Sequence, residues 1–322
     1  MSGTGYIGNT DFVWYRNLLA RQRQLEEVNF WRPGSGHLLR SLEPGAPFLL
    51  RLKAQHGGAI AGFGFFSRAQ HLTIREAWTY FGVGNGAGTL AELVERIGRY
   101  RTAEPATANT SIGCLLLVAP VLFPEHMWVE GPAGWKQNIV SGRRFDRSEP
   151  EYQRIWSACL ENARQLQNQL GSWTATELER VWAPGSAGTG RVIYPRLGQQ
   201  TFRLSLVDAY GRACAVTNEH SLPVLDAAHI IPHADGGSLD PRNGLLLRAD
   251  VHRLFDDGYV TVTPDHVFKV SERLREDYNN GRIYYELHGR RIRVPDNPAL
   301  QPARDNLALH GERYFEHWSS PG

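Results

Sequence analysis

Between Tyr210 and Thr263 lies the stretch that most limits what this chain can become. It carries Cys214-Ala-Val-Thr217, Asp226-Ala-Ala-His229-Ile-Ile-Pro232, Asn243-Gly-Leu and His252-Arg-Leu-Phe-Asp256-Asp-Gly258. Asp226 to Ile231 is a brief, mostly apolar run. Pro232 and the Gly236-Gly237 pair then punctuate it as the end of a strand followed by a broad loop. A histidine at such an edge can point into a groove. Asn243-Gly244 predicts a tight turn, Leu245 to Leu247 follows, and His252 and Asp256 stand four apart, on one face of a helix. Two histidines, an asparagine and two aspartates can therefore converge from a hairpin and the helix after it. Their chemistry is that of a one-metal hydrolytic site.

In order and spacing these motifs resemble the HNH nuclease family, whose fold is a β-hairpin plus a helix clasping one divalent ion. The resemblance covers roughly positions 200 to 263. It implies that His229 is the general base, that Asn243 braces the loop and hairpin, and that His252 ligates the metal. One departure matters. Many members carry Asp or His immediately before the base as a second ligand, whereas this chain has Ala228, which coordinates nothing. Asp226 or Asp256 has to replace it. Strand alternation puts Asp226 with Ala228 and His229 on the opposite face, while Asp256 lies one turn beyond His252. Asp226 ranks slightly ahead. Cys214 has no CxxC mate, so a small apolar role is expected for it rather than a structural zinc.

The implied reaction is phosphodiester hydrolysis. Neutral His229, with an ordinary imidazole pKa of ~6.5, takes a proton from water. One divalent ion per site stabilises the charge that develops. Magnesium suits the oxygen-rich share of the donors, and the histidine leaves manganese, nickel or zinc as alternatives.

A chain of 322 residues is long enough for two domains. The boundaries expected are 1–170, a linker at 171–199 rich in glycine, serine and proline, and 200–322 with a C-terminal extension. A formal charge of +2 gives no global argument for nucleic acid, so attraction has to come from local patches. The three cysteines, at 114, 159 and 214, do not suggest a disulfide scaffold. The N-terminus does not resemble a signal peptide, and the apolar stretches end well short of the ~20 residues a transmembrane helix needs. A cytoplasmic location without membrane contact is expected.

In the first domain Phe48 to Lys53 and Ala59 to Ser67 read as a hairpin, and Ile112 to Val118 as a further strand. Helices are predicted at Thr73 to Phe81, at Thr89 to Tyr100 and at Tyr152 to Leu170. The Gly82 to Gly88 loop lacks the Gly-Lys-Ser/Thr ending of a phosphate loop. This order resembles the PUA-like barrels, which include the modified-base readers called SRA and EVE domains. The fold class expected is thus α+β, a PUA-like β-barrel with helices followed by a ββα-metal HNH nuclease domain. The resemblance implies an aromatic pocket for an extruded base, with Trp14, Asn29, Phe30, Trp31, Phe65 and Trp78 as its candidates. Asn29 is expected in a loop, reading a base edge. For any single ring, core packing is the competing reading.

In the second domain Tyr259 to Thr263 and His266 to Val270 read as a hairpin. Tyr284 to Leu287 and Arg290 to Val294 read as strands. Arg203, Arg290, Arg291 and Arg293 are candidates for contacts with backbone phosphates, and His310 is expected to be structural or exposed rather than a third catalytic histidine. The function expected is that of a double-stranded DNA endonuclease directed at a modified base, hence restriction of foreign DNA and antiviral defence, with a homodimer suited to cutting both strands. One alternative keeps the nuclease but gives its N-terminal domain another nucleic-acid or nucleotide feature to sense. Another is a noncatalytic nucleic-acid-binding protein on the same scaffold.

Overall fold

A computed structural model of the protein describes residues 4–34, 36, 42–101, 104–136, 138–146, 148–170 and 198–316. The chain divides into two compact units, Met1–Gly198 and Gln199–Gly322. The expected linker, 171–199, lies almost wholly outside the described residues.

The first unit runs β1 (Thr4–Thr10), α1 (Phe12–Leu19), β2 (Glu27–Arg32), β3 (Pro47–Leu52), β4 (Ile60–Thr73), α2 (Ile74–Phe81), α3 (Leu90–Gly98), β5 (Ser111–Leu122), β6 (Gly142–Asp146) and α4 (Pro150–Leu170). Its strands form one sheet in the order β2-β5-β4-β3-β1-β6, with β1 and β3 parallel and the other neighbours antiparallel. A closed barrel would need β2 and β6 to pair. Among the described residues they do not, so the expected barrel is replaced by an open mixed sheet. Register shifts between β3 and β4 and between β4 and β5 interrupt the ladders, and bulges of this kind bend and twist a sheet without closing it.

Both faces of this sheet are covered, which is why every residue of Pro47–Leu52 is buried. Leu49, Phe63 and Phe65 pack with Tyr152 and Trp156 of α4 on one side. Phe30, Phe48 and Leu50 pack with Trp14 and Leu18 of α1 on the other. Two helix starts follow directly from their capping residues. Thr73 and Glu76 form a reciprocal capping box, and Thr89 accepts the Glu92 amide at 3.1 Å. Asn29-Phe30-Trp31 is not a loop. It lies in β2, opposite Leu116, Leu115 and Cys114, because the amide of Asn29 finds a buried partner in Asn85.

The second unit runs α5 (Gln199–Ala209), β7 (Leu225–His229), β8 (Gly244–Arg248), α6 (Ala249–Asp256), β9 (Val260–Val262), β10 (Phe268–Val270), α7 (Arg273–Tyr278), α8 (Arg282–Tyr285) and α9 (Arg304–Arg313). Phe202 and Leu206 of α5, Leu245 and Leu247 of β8, Val251 and Phe255 of α6, and Leu307 of α9 share one core. β9 and β10 form the expected hairpin. Tyr284 to Leu287 is not a strand: the short helix α8 takes Tyr284 and Tyr285, whose hydroxyls bond Asp250 and the Ser271 carbonyl. A short apolar run is compatible with either structure, and here tertiary contacts select the helix. Arg290 to Val294 contributes only an isolated bridge, Val267 to Arg291. Among the described residues no helix is long and apolar enough to cross a membrane.

His310 is 2% exposed and stacks on Phe255 with ring centroids 3.7 Å apart. Its Nδ1 lies 2.9 Å from the Thr261 hydroxyl. Burial pushes the imidazole down to about 4. The unfolded chain then takes the proton near the ordinary ~6.5 and the folded one does not, so stability present in full above ~6.5 is lost as pH falls towards 4. A His310→Phe variant, which keeps the ring stack, is expected to lack roughly 3 kcal/mol of that pH dependence. Urea midpoints of variant and wild type between pH 7 and pH 4 measure the difference.

Candidate active site and aromatic pocket

β7 and β8 pair antiparallel, with His229 opposite Gly244 and Asp226 opposite Leu247, and α6 follows β8 directly. Asn243-Gly244 is not a hairpin turn of its own. Asn243 ends a 3-10 turn (Pro241–Asn243), and Gly244 opens β8 in extended conformation with φ −142. The Asn243 side chain, 1% exposed, holds the intervening loop. Its Oδ1 accepts the Ile231 amide at 3.0 Å and Nδ2 of Asn306 at 2.9 Å, while its Nδ2 donates to the carbonyls of Ile231 and Ser238 at 3.0 and 2.9 Å. The loop folds so tightly that a Cβ on Gly237 would lie 1.8 Å from the Ile231 carbonyl oxygen. Cys214 is more than apolar filling, since its sulfur accepts the amides of Thr217 and Arg248 at 3.3 and 3.2 Å.

His229 ends β7 with its ring stacked on Phe202, centroids 4.4 Å apart. Its Nε2 is shielded from solvent and has no hydrogen-bond partner among the described residues. Burial first, then the neighbouring His233 and His252, hold its imidazole below the ordinary value and therefore favour the neutral ring. His252, on α6, lies between two carboxylates: Nδ1 is 3.5 Å from Asp226 Oδ2 and Nε2 is 3.3 Å from Asp256 Oδ2. Burial raises the Asp256 carboxyl; His252 works against that rise, and Asp257 and Asp226 add to it. Strict alternation would send Asp226 and His229 to opposite faces. Asp226 nevertheless reaches His252 Nδ1, and His252 is near enough to His229 to act on its ring electrostatically.

Imidazole and carboxylate donors fit a divalent ion chemically. The two carboxylates, however, stand on opposite ring nitrogens of His252, so His252, Asp226 and Asp256 do not surround one point. Among the described residues no group of three His, Cys, Asp or Glu side chains is arranged to hold a metal. The donors fit an ion held by His252 and one carboxylate. The other carboxylate is placed to accept the remaining ring N–H, the usual device for fixing a ligating imidazole.

Of the arginines expected at phosphates, Arg203 donates to the Leu225 carbonyl at 2.8 Å and anchors the start of β7. Arg290, Arg291 and Arg293 are exposed, and Arg293 reaches Asn218 Oδ1 at 3.4 Å. Phe202, His233 and Asn306 went unread in the sequence, where nothing joins them to His229 or Asn243.

In the first unit Trp14, Phe30 and Trp31 line a pocket of about 210 Å³. Trp14 and Phe30 meet edge to face at 5.6 Å, and Trp31 lies 6.1 Å from the Tyr100 ring. Gly86, at φ 69, lets the backbone approach Trp14, because a Cβ there would fall 2.3 Å from the indole. Asp11, also on the wall, accepts the Tyr100 hydroxyl and Arg96 Nη2, both at 2.6 Å. Burial opposes ionisation of Asp11, but the Tyr100 hydroxyl, the Trp14 amide and Arg96 outweigh it and hold the carboxyl low. The Tyr100 phenol is pushed up to about 12 by burial and by Asp11. Three candidates lie elsewhere. Asn29 is buried against Asn85 and Cys114, Phe65 packs under α4 on the opposite face of the sheet, and Trp78 is half-buried on α2. Asp11, Lys53 and Tyr100 line the pocket and were not anticipated.

A hairpin and helix that bring a neutral histidine beside a second histidine between carboxylates define a nuclease-like ββα unit. Residues 214–263 match the family model described as HNH endonuclease, so the chain carries an HNH endonuclease domain and the protein is an endonuclease. A search of curated proteins gives no match. One similar solved structure is titled "Modification dependent TagI restriction endonuclease"; it is 14% identical, covers 89% of this chain and 75% of that chain, and superposes with a TM-score of 0.28.

Proposed function

We propose that the protein is a metal-dependent endonuclease of double-stranded DNA, that its first unit reads a modified base, and that it restricts foreign DNA. The observation that carries the nuclease chemistry is the unpartnered Nε2 of a His229 ring held neutral beside His252. His229 accepts the proton of the attacking water at that nitrogen. Because the atom is shielded in the free protein, water is admitted as the strand binds. Phe202 fixes the plane of the ring, and Asn243 fixes the loop that leaves β7. Asp226 and His252 hold the divalent ion, magnesium in the first instance, and Asp256 orients His252 from its other nitrogen. The chemistry that ion supplies is neutralisation of charge on the phosphate and the departing oxygen. One such site serves one strand at a time, so cutting both strands calls for a second copy.

The base-reading part of the proposal is supported by the rings that line the pocket together with polar Asp11 and Lys53. Stacking on such rings contributes ~1–3 kcal/mol per base, which offsets part of the cost of extruding it. A Trp31→Ala variant is expected to lose roughly 5- to 150-fold in affinity for the modified duplex and to cleave unmodified duplex at the wild-type rate. The decisive experiment compares cleavage of chemically defined modified and unmodified duplexes across several divalent ions. Equal cutting of all of them rejects the reader, and no cutting with any ion rejects the enzyme.

A further inference from the structure

Away from His229, the nuclease unit has an open cavity of about 460 Å³ lined by Arg242, His266 and Arg304, with Pro298, Pro302 and a single acid, Asp305. Arg242 sits in the 3-10 turn that ends at Asn243, and Arg304 is the first residue of α9. These two elements are fastened to each other: the Ala303 amide donates to the Arg242 carbonyl at 2.8 Å, and Asn306 donates to Asn243 Oδ1 at 2.9 Å. The arginines are therefore held on a fixed frame. Both are exposed, and neither forms an ion pair with a carboxylate among the described residues.

His266 adds its ring, whose Nε2 is shielded from solvent and has no hydrogen-bond partner among the described residues. Arg304 and Arg291 act on its ring electrostatically, opposed by Asp265 on its own turn. Ala303, the N-cap of the ten-residue helix α9, offers no side-chain acceptor to the first turn, so the helix's N-terminal partial charge adds to the guanidinium charges and is opposed there by the first-turn carboxylate of Asp305. Two guanidiniums that form no ion pair among the described residues, with the His266 ring and a helix start on the wall of one cavity, constitute a receptor for an oxyanion. The same frame carries Asn243, which clasps the loop after His229.

We propose that Arg242, Arg304 and His266 seat one phosphate group of the DNA backbone, flanking the linkage that is cut and fixing the strand relative to His229. This rests on the DNA-cutting function proposed above. A contact of this kind gives affinity without sequence preference.

Its test is equilibrium binding of the full chain to one duplex in EDTA at several salt concentrations. In the Arg242→Ala/Arg304→Ala variant the slope of log affinity against log salt is expected to become shallower by about 0.9, the value of one lost phosphate contact. Modified and unmodified duplexes should weaken by the same factor. The Arg242→Lys/Arg304→Lys variant should recover the slope, and hydrolysis of bis(4-nitrophenyl) phosphate, whose single phosphate is the one that reacts and leaves none for the seat, should be unchanged in both variants. An unaltered slope in the alanine variant, an equal loss in the lysine variant, or a parallel fall in hydrolysis of the small diester overturns the seat alone. A wild-type protein that binds no duplex overturns the DNA-cutting function together with it.

Discussion

Substituting His229 with alanine is expected to slow duplex cleavage by roughly 100- to 10,000-fold, the usual contribution of a positioned general base. Secondary structure and the Asn243 hydrogen bonds should survive, because the ring stacks on Phe202 but its Nε2 bonds nothing that would be orphaned. The pH dependence has a definite sign. Only the neutral ring accepts a proton, and burial together with His233 and His252 keeps the ring neutral to lower pH than an ordinary imidazole. Cleavage by wild type should therefore be flat through neutrality and fall as pH drops through a midpoint below ~6.5. Single-turnover rates at saturating metal measure both effects. A variant that retains the wild-type rate assigns the base to another residue.

The second large effect is expected at Asn243, whose contribution is to the frame rather than to proton transfer. Asn243→Ala orphans the Ile231 amide, the carbonyls of Ile231 and Ser238, and the Asn306 side-chain amide at a site where Asn243 itself is 1% exposed. A buried unsatisfied group costs about 1–3 kcal/mol, so the loss of the clasp should cost roughly 3–5 kcal/mol after local relaxation. Asn243→Asp keeps both acceptor bonds but cannot donate to Ile231 and Ser238, and should fall between wild type and alanine. Urea unfolding of the three proteins gives the order. An alanine variant within 1 kcal/mol of wild type would show that the loop holds itself without the clasp.

Much of the nuclease unit was legible in the sequence because its signals are local. The apolar run ending at His229, the Gly236-Gly237 pair, and the four-residue spacing of His252 and Asp256 give a strand, a loop and a helix face without reference to the rest of the chain. The helices expected from Thr73 and from Thr89 also begin where the sequence placed them, since each start is held by a cap that residues three apart make locally. Tyr284 to Leu287 failed for the opposite reason. Its composition allows a strand or a helix, and the choice falls to hydroxyl bonds with Asp250 and Ser271, more than ten residues away in sequence.

The aromatic pocket shows the same division. Trp14, Phe30 and Trp31 were identifiable as large rings, but composition could not separate them from Phe65, which alternates in a strand just as Phe30 does and faces the other core. Asn29 looked like a loop residue that reads a base edge, and a buried bond to Asn85 places it inside the sheet instead. Asp11 and Tyr100 are 89 residues apart and meet only in the fold.

The sequence by itself determined the strand that ends at His229 and the helix face shared by His252 and Asp256, because those depend on spacing within a few turns of chain. Only tertiary structure decided that Asp226 and Asp256 stand on opposite nitrogens of His252, that Phe202 lies against His229, and that the sheet of the first unit stays open. Those outcomes depend on strand termination, bulges and the packing of distant side chains, and packing is settled by shape and partners that no local pattern encodes.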